Sequence, residues 1–262
     1  MKTLNAMDYL ASEGIDALID LDPDPNFQEG IFDAVSGAMQ APFPPYPEDL
    51  ARLHRLIRQR RSFTVVEYGS GVSTAVIADA LAKNEADWNA APGHVEVRNR
   101  FMFQLFSVET SADWLKHVES NFPKHLRKHL TMHLSDVEMG TFNGQICHYY
   151  TSQPDVVADF YYLDGPWAAD VKGDVNGLTF QCLERTVMSA DLLRMESTLL
   201  PGTFILVDGR TNNARFLRNN FRRQYDYRWD QEGDVSTFEL VEDNLGQPTS
   251  RGTIPYRAWD AE

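Results

Sequence analysis

The chain has 262 residues, enough for one large domain or two small ones, and its 43% hydrophobic and 24% charged content is that of a soluble globular protein with a full core. No stretch of about 18 consecutive apolar residues occurs, so no membrane span is expected. A formal net charge of -14 argues against a nucleic-acid partner, because binding a phosphate backbone requires a basic face.

The first residues carry Asp8, Glu13, Asp16 and Asp20 and no apolar block behind a basic start, which argues against a secretory leader. Ala6–Ile19 has helical apolar spacing, and Asn26 is a candidate cap for a helix over Phe27–Met39. The stretch APFPPYPED, Ala41–Asp49, breaks the pattern, because proline lacks an amide donor and clashes with the preceding turn. Pro47 then suits the first turn of a helix running to about Arg60. Residues 1–60 read as a helical extension or cap on a core domain over 61–243.

From there strands and helices alternate. Phe63–Tyr68 reads as a strand buried on both faces, and Ser73–Lys83 as a helix. Leu105–Glu109 is a second strand, Ser111–Asn121 a helix capped by Ser111, and Leu130–Leu134 a third strand. Asp159–Leu163 is a fourth strand, Leu178–Leu200 a long helix, Thr203–Val207 a fifth strand and Asn212–Phe221 a helix. Tyr225–Trp229 and Val235–Leu240 close the series as a hairpin. Asn84–Arg100, polar and containing Pro92-Gly93, and Val137–Pro154 interrupt the alternation and read as long surface loops. Residues 244–262 read as a weakly structured tail. The order implies an α/β fold: a doubly wound, mostly parallel seven-stranded sheet with an antiparallel last strand. Cys147 and Cys182 have neither metal nor redox spacing and read as buried spectators in a reducing, cytoplasmic compartment.

Chemistry concentrates at strand ends. VVEYGSGVSTAVIADAL, Val65–Leu81, is a strand, a turn and a helix, with Gly69 and Gly71 bracketing Ser70 at the edge where open α/β sheets bind ligands. Glycine permits a tight turn and close approach of a ligand to the main chain, and the helix that follows presents free N–H groups. A bare strand-to-helix turn carrying no ligand has the same pattern. A dinucleotide site asks for G-x-G-x-x-G, and position 74 is Thr74. It also asks for an acid about 20 residues on, and Glu109 comes much later. Glu67, two residues before Gly69, disfavours a phosphate and suits a cation, such as a sulfonium with a free amino group.

The motif series resembles class I S-adenosylmethionine-dependent methyltransferases with a Rossmann-like sheet. E-Y-G-S-G-V-S, Glu67–Ser73, is similar to their first motif, with Ser73 where a third glycine is often found. F-S-V-E, Phe106–Glu109, is similar to their second strand and its ribose-binding acid. Ser135-Asp136 follows the third strand, where the family often contacts adenine. Y-L-D-G-P, Tyr162–Pro166, and L-L-P-G-T-F-I-L-V-D, Leu199–Asp208, are similar to the ends of the fourth and fifth strands. The resemblance covers about Phe63–Leu240, and its wording is most similar to small-molecule or saccharide O-methyltransferases. It implies S-adenosylmethionine as cofactor, held by Glu67, Gly69, Ser70, Gly71, Ser73, Thr74, Glu109, Thr110 and Asp136. It implies a small-molecule or saccharide acceptor and leaves a homo-oligomer open.

The residues speak for some of this on their own. A carboxylate at a strand end can accept two ribose hydroxyls through charge-assisted bonds, and this reading of Glu109 leads; a cap for the Ser111 helix is the alternative. Asp164 and Asp208 both end apolar strands, both precede glycine, and both should lie at the ligand edge. Together they could hold a divalent cation such as Mg²⁺, or act without one, with Asp164 as general base. Asp-Gly also simply marks turns. Catechol-type enzymes carry an asparagine after the second acid; here Gly209 stands there, and Asn212 or Asn213 would have to substitute. Arg210 could pair with Asp208 or meet an acidic substrate, and Trp167 could stack on a sugar or simply pack. Arg215, Arg218 and Arg222 share a helical face that reads as solvated, with a substrate anion as the alternative. His125, His129 and His133 recur every four residues among basic neighbours and read as wet surface. An NAD-dependent oxidoreductase on a similar sheet and a noncatalytic cofactor-binding scaffold are the competing readings.

Overall fold

The computed structural model describes residues 5–22, 44–93, 97–182 and 184–243. The expected helix over Phe27–Met39 and the tail 244–262 lie outside these. Helix α1, Ala6–Glu13, starts where the Asn5 side chain accepts the Asp8 amide at 2.8 Å. It stops short of the expected Ile19 because Gly14 takes a left-handed conformation, φ 71°, and its amide bonds back to Ala11. Helix α2, Pro47–Arg60, has proline at its start as expected. Leu10 and Ile15 bury against Leu50, Ala51 and Val76, joining α1 and α2 to the helix that follows the first strand.

Strand β1, Thr64–Tyr68, is buried throughout. Helix α3, Val72–Ala90, runs well beyond Lys83, so the first half of the expected Asn84–Arg100 loop is helical. Asn84 points inward and donates to the carbonyls of Ile57 (3.2 Å) and Ser62 (3.0 Å), and Trp88 packs edge-on to Phe63. A polar residue spent on internal caps had looked like surface. Strand β2 is Gln104–Glu109. Helix α4, Ala112–Asn121, is capped by Ser111, which accepts the Trp114 amide, and β3 is Leu130–Leu134.

The expected loop Val137–Pro154 is largely a hairpin. Strands β4, Val137–Phe142, and β5, Gln145–Tyr150, turn through Asn143-Gly144, both at positive φ. That dipeptide is the favoured two-residue hairpin turn and was the available signal. Strand β6 is Phe160–Leu163, and β7, Val171–Lys172, adds to β4 to make a small three-stranded sheet.

The long helix expected over Leu178–Leu200 is reduced to α5, Asp191–Met195, and a 3-10 turn at Glu196–Thr198. The preceding backbone pairs with β5 instead: the His148 amide donates to Met188 and the Ala190 amide to His148. The Asn213 side chain brackets Ser189, accepting from its amide and donating to its carbonyl. Strand β8, Phe204–Asp208, helix α6, Thr211–Asn220, and the hairpin β9, Tyr225–Asp230, and β10, Val235–Leu240, are the last elements of the described residues.

The main sheet has seven strands in the order β3-β2-β1-β6-β8-β10-β9. All its neighbouring pairs are parallel except those made by β10, which is antiparallel to both β8 and β9. This is the doubly wound sheet with an antiparallel last strand that the alternation implied. One face buries Val65, Leu105 and Leu206 under α2 and α3; the other buries Val66, Tyr161 and Ile205, and its core continues to Tyr150 and Val171 of the small sheet. The register pairs Tyr68 with Val108 and Leu163, and Leu163 with Val207. Gly69, Glu109, Asp164 and Asp208 therefore leave the sheet in one row at its carboxyl edge.

Candidate functional site

Glu67 has no solvent exposure. Its Oε1 accepts the Ser73 hydroxyl at 2.5 Å, and its Oε2 accepts Thr74 and Ser107, each at 2.7 Å. Direct reach to a ligand's ammonium is thus closed off. The carboxylate ties the turn after β1 to β2 and to the start of α3. Burial pushes its pKa up to about 7, against the three hydroxyls that lower it. Ser107 could have been read from LFSVE, a polar residue inside a buried strand that the register sets beside Glu67.

The turn itself is held from the other side by the loop after β6. Gly69 has φ 94°, and a Cβ placed on it would stand 2.8 Å from the Gly165 nitrogen. A Cβ on Gly165 would stand 2.7 Å from the Gly69 Cα. Two glycines are needed because two backbones touch, with the Asp164 and Gly165 amides both donating to the Tyr68 carbonyl. Gly71, by contrast, faces open space.

Glu109 ends β2 nearly buried, at 6% exposure, beside this turn. Its Oε1 accepts the amides of Thr110 (2.7 Å) and Ser111 (2.9 Å). Its Oε2 accepts the amide (3.1 Å) and hydroxyl (2.7 Å) of Ser70. The Trp114 indole N–H holds the Ser70 carbonyl at 2.8 Å. A carboxylate offers about four acceptor positions, and the chain fills them all. Of the two roles foreseen for Glu109, the cap is seen here: it steadies the start of α4 through Thr110 and Ser111, and its other oxygen holds the turn through Ser70.

Asp208 lies beside Asp164 on the neighbouring strand end. Tyr162 donates to its Oδ2 at 3.0 Å, and an Arg52 guanidinium nitrogen stands 4.0 Å from its Oδ1. The same nitrogen is 2.7 Å from Asp49. Burial, then the carboxylates of Asp49 and Asp164, raise the Asp208 pKa to about 7 despite Tyr162 and Arg52. Asp164 keeps solvent access, yet protein crowds its carboxyl; desolvation raises its pKa, with Arg210 opposing and Asp49 adding to the rise. Asp49, Arg52 and Tyr162 were missed in the sequence. The first two come from α2, a helix whose place in the fold no local pattern reveals.

Two carboxylates do not make the expected metal site. Among the described residues no three histidine, cysteine or acidic side chains gather as ligands. Asn213 is committed to Ser189 through both its oxygen and its nitrogen, and Asn212 donates its amide nitrogen to Thr186. The residues present do not fit a bound divalent cation.

The other expected residues fall at the same edge with partners of their own. Ser73 and Thr74 begin α3, where Thr74 also accepts the Gly71 amide. Asp136 is exposed and holds the Lys172 ammonium at 2.6 Å. Trp167 is half-buried beyond the cis peptide Gly165–Pro166. Arg210 donates to the carbonyls of Pro166 (3.3 Å) and Asp164. Arg215 and Arg218 lie over the rings of Trp229 and Tyr227, away from this row. The three histidines do not gather: His129 is buried on the Phe103 carbonyl, which corrects its reading as wet surface, and His133 meets Ser152. Cys147 is buried, but Cys182 is only half so.

No family model matches the chain, and no curated protein does. Solved structures do match at low identity. The O-methyltransferase TomG of Streptomyces achromogenes, in complex with SAM, is 12% identical over 92% of this chain and 100% of its own, with a TM-score of 0.42. An O-methyltransferase from Bacillus cereus in complex with SAH is 13% identical over 92% of each chain, TM-score 0.41. The SAH-bound Podospora anserina methyltransferase PaMTH1 is 11% identical over 92% of this chain and 98% of its own, TM-score 0.45. The fold assignment stands on the strand order and register of this chain. No helix among the described residues is long and apolar enough to cross a membrane.

Proposed function

We propose that the chain is an S-adenosylmethionine-dependent O-methyltransferase acting on a hydroxyl of a small molecule or saccharide. One observation carries the reading: a nearly buried acid, Glu109, lies hydrogen-bonded against the backbone turn Gly69–Gly71 at the carboxyl edge of the sheet. That pairing suits a nucleoside whose ribose hydroxyls meet the carboxylate while its amino-acid end lies along the turn. Gly69, Ser70, Gly71, Ser73, Thr74, Glu109, Thr110 and Asp136 would hold it. Glu67 would act by fixing the turn. The bound nucleoside would supply an activated methyl group on a positive sulfur.

Asp164 and Asp208 would orient the acceptor hydroxyl and receive its proton. Most of the rate would come from holding acceptor and methyl in line. Arg210 and Trp167 would contact the acceptor, and the helices of residues 1–60, which deliver Asp49 and Arg52 to the row, would cover it. We place the protein in the cytoplasm, with no nucleic-acid partner.

Titration calorimetry with S-adenosylhomocysteine tests this directly. Micromolar binding is expected for the parent, with loss of at least a hundredfold for Glu109→Ala. A parent that binds NADH and ignores the thioether nucleoside would replace this reading with the oxidoreductase.

A further inference from the structure

Helix α1 is fastened to the protein by polar side chains beneath it. His54 of α2 has no solvent exposure, and both of its ring nitrogens are bonded. Nδ1 meets the Tyr9 hydroxyl of α1 at 2.7 Å, and Nε2 meets Oδ2 of Asp79, on α3, at 3.0 Å. The same Asp79 oxygen takes the Lys83 ammonium at 2.7 Å. Lys83 reaches back to α1, donating to the Glu13 carbonyl at 2.6 Å and to its carboxylate at 2.9 Å. Three helices meet on one buried imidazole.

The neighbours decide where the ring carries its proton. Burial works to raise the pKa of Asp79, but the bonds from His54 and Lys83 outweigh it and hold the carboxyl ionised. An ionised carboxylate only accepts, so Nε2 carries the hydrogen and Nδ1 accepts from Tyr9. A second ring proton would force the Tyr9 hydroxyl to turn from donor to acceptor, and would set two cations on one oxygen of Asp79. The charged and titratable groups around the ring are Tyr9 and Glu13 from α1 and Asp79 and Lys83 from α3. From α2 itself come Arg55, 4.0 Å over the Tyr9 ring, and Arg58, bonded to Asn84 and Asp87. Burial lowers the pKa of His54 despite the Asp79 carboxylate, with Lys83 adding to the fall and Glu13 opposing it.

Apolar contact holds α1 only at its far end. Leu10 and Ile15 bury in a small cluster with Leu50, Ala51 and Val76, apart from the two large cores. At its start an open cleft of about 390 Å³ lies between Ala6 and the α2 residues Arg52, Arg55 and Leu56. When α1 lifts, Tyr9 and Glu13 leave, water reaches His54, and Asp79 stays beside it. The pKa of the ring then returns to at least its ordinary value of about 6.5. The docked form therefore has its full advantage above that pH and loses it as pH falls below.

We propose that Tyr9, His54 and Asp79 form a proton-operated clasp: a proton on His54 releases α1 and slackens α2, the helix that brings Asp49 and Arg52 to Asp208. The clasp gives the row a cover that loosens in acid. Its use to the enzyme rests on the methyltransferase reading; the release itself does not.

The test is hydrogen-exchange mass spectrometry of the full chain between pH 8 and pH 5, corrected for intrinsic exchange rates, on the parent, His54→Gln and Glu13→Gln. In the parent, protection of residues 6–15 should fall roughly 5- to 30-fold between pH 7.5 and pH 5, with α2 following and β1 losing none. His54→Gln keeps a donor and an acceptor but no titrating proton, so its α1 protection should not change with pH. Glu13→Gln removes the other acid that ties α1 down, and should keep the parent's fall. Flat protection in the parent, an α2 that stays fully protected while α1 opens, a fall that survives in His54→Gln, or one that vanishes in Glu13→Gln would overturn the clasp. If His54→Gln does not fold, Tyr9→Phe takes its place. It should lower α1 protection at pH 7.5 at least fivefold and leave β1 unchanged, and protection equal to the parent's would overturn the clasp. Nucleoside binding is read separately by calorimetry at pH 7.5, so its failure would sink the reading of the row and leave the exchange result standing.

Discussion

Removing the Ser70 hydroxyl should tighten nucleoside binding. Glu109 uses all of its roughly four acceptor positions on the chain itself, two of them on Ser70. A ribose diol needs two, and the Thr110 and Ser111 amides belong to the start of α4, so Ser70 must release the carboxylate. The bond it gives up from its hydroxyl is short, 2.7 Å, and made to a charged group. Bonds of that kind contribute about 1.5–3 kcal/mol, part of which returns when the freed hydroxyl meets water. In Ser70→Ala only the longer amide bond, at 3.1 Å, remains to compete. A net gain of about 1.4 kcal/mol, or roughly tenfold in Kd for S-adenosylhomocysteine, is expected by calorimetry. Weaker binding would mean that the hydroxyl itself touches the nucleoside, and unchanged binding that Glu109 is not where it lands; either result refutes the competition.

Three further outcomes follow from the same geometry. Gly165→Ala should cost about 1–3 kcal/mol in urea unfolding, because its Cβ meets the Gly69 backbone at 2.7 Å, whereas Gly71→Ala, facing open space, should stay within about 0.5 kcal/mol. Asp208, held near pKa 7 by burial and its acidic neighbours, should give kcat a limb that rises with pH around 7 and vanishes in Asp208→Asn. Glu67 has a folded pKa of about 7 against 4.5 outside, so the folded state binds the extra proton between those values and loses stability as pH rises through 7. Glu67→Gln should therefore gain up to about 3 kcal/mol relative to the parent between pH 5 and pH 8 in urea unfolding; parallel curves would show that the carboxylate stays ionised throughout.

The main sheet was legible because its central strands, such as β1 and β6, are buried on both faces and read as short apolar runs between turn residues. Segments whose backbone is satisfied by distant partners were not legible. Leu178–Leu200 has helical apolar spacing, but the backbone of Met188, Ser189 and Ala190 is bonded to His148 of β5 and to Asn213, which no local pattern shows. Asn84 looked like surface because its two acceptors are carbonyls more than twenty positions earlier. The hairpin through Asn143-Gly144 carried a readable turn signal that the surrounding polarity masked. At the site, the strand-end acids were placed correctly by type and position. The contribution of α2 was hidden, since Asp49 and Arg52 form an ordinary i,i+3 helical pair and reach Asp208 only through tertiary packing.

Two acids 42 positions apart, Glu67 and Glu109, flank the same turn, and their surroundings divide the labour between them. Glu67 takes only hydroxyl donors, from three positions on two elements, and water cannot reach it. Any motion of the turn at that end would strand a buried carboxylate, which is far costlier than losing one ordinary bond. Gly69 is blocked on the other side by the backbone at Gly165. The turn is therefore rigid at its root, and Ser70 is the part whose bonds can be exchanged for a ligand's without exposing a buried charge. Rigidity at Glu67 and replaceable bonds at Glu109 are together what lets a preformed corner accept a nucleoside with little reorganisation, which is why Ser70 is the residue whose removal should be felt as a gain in affinity.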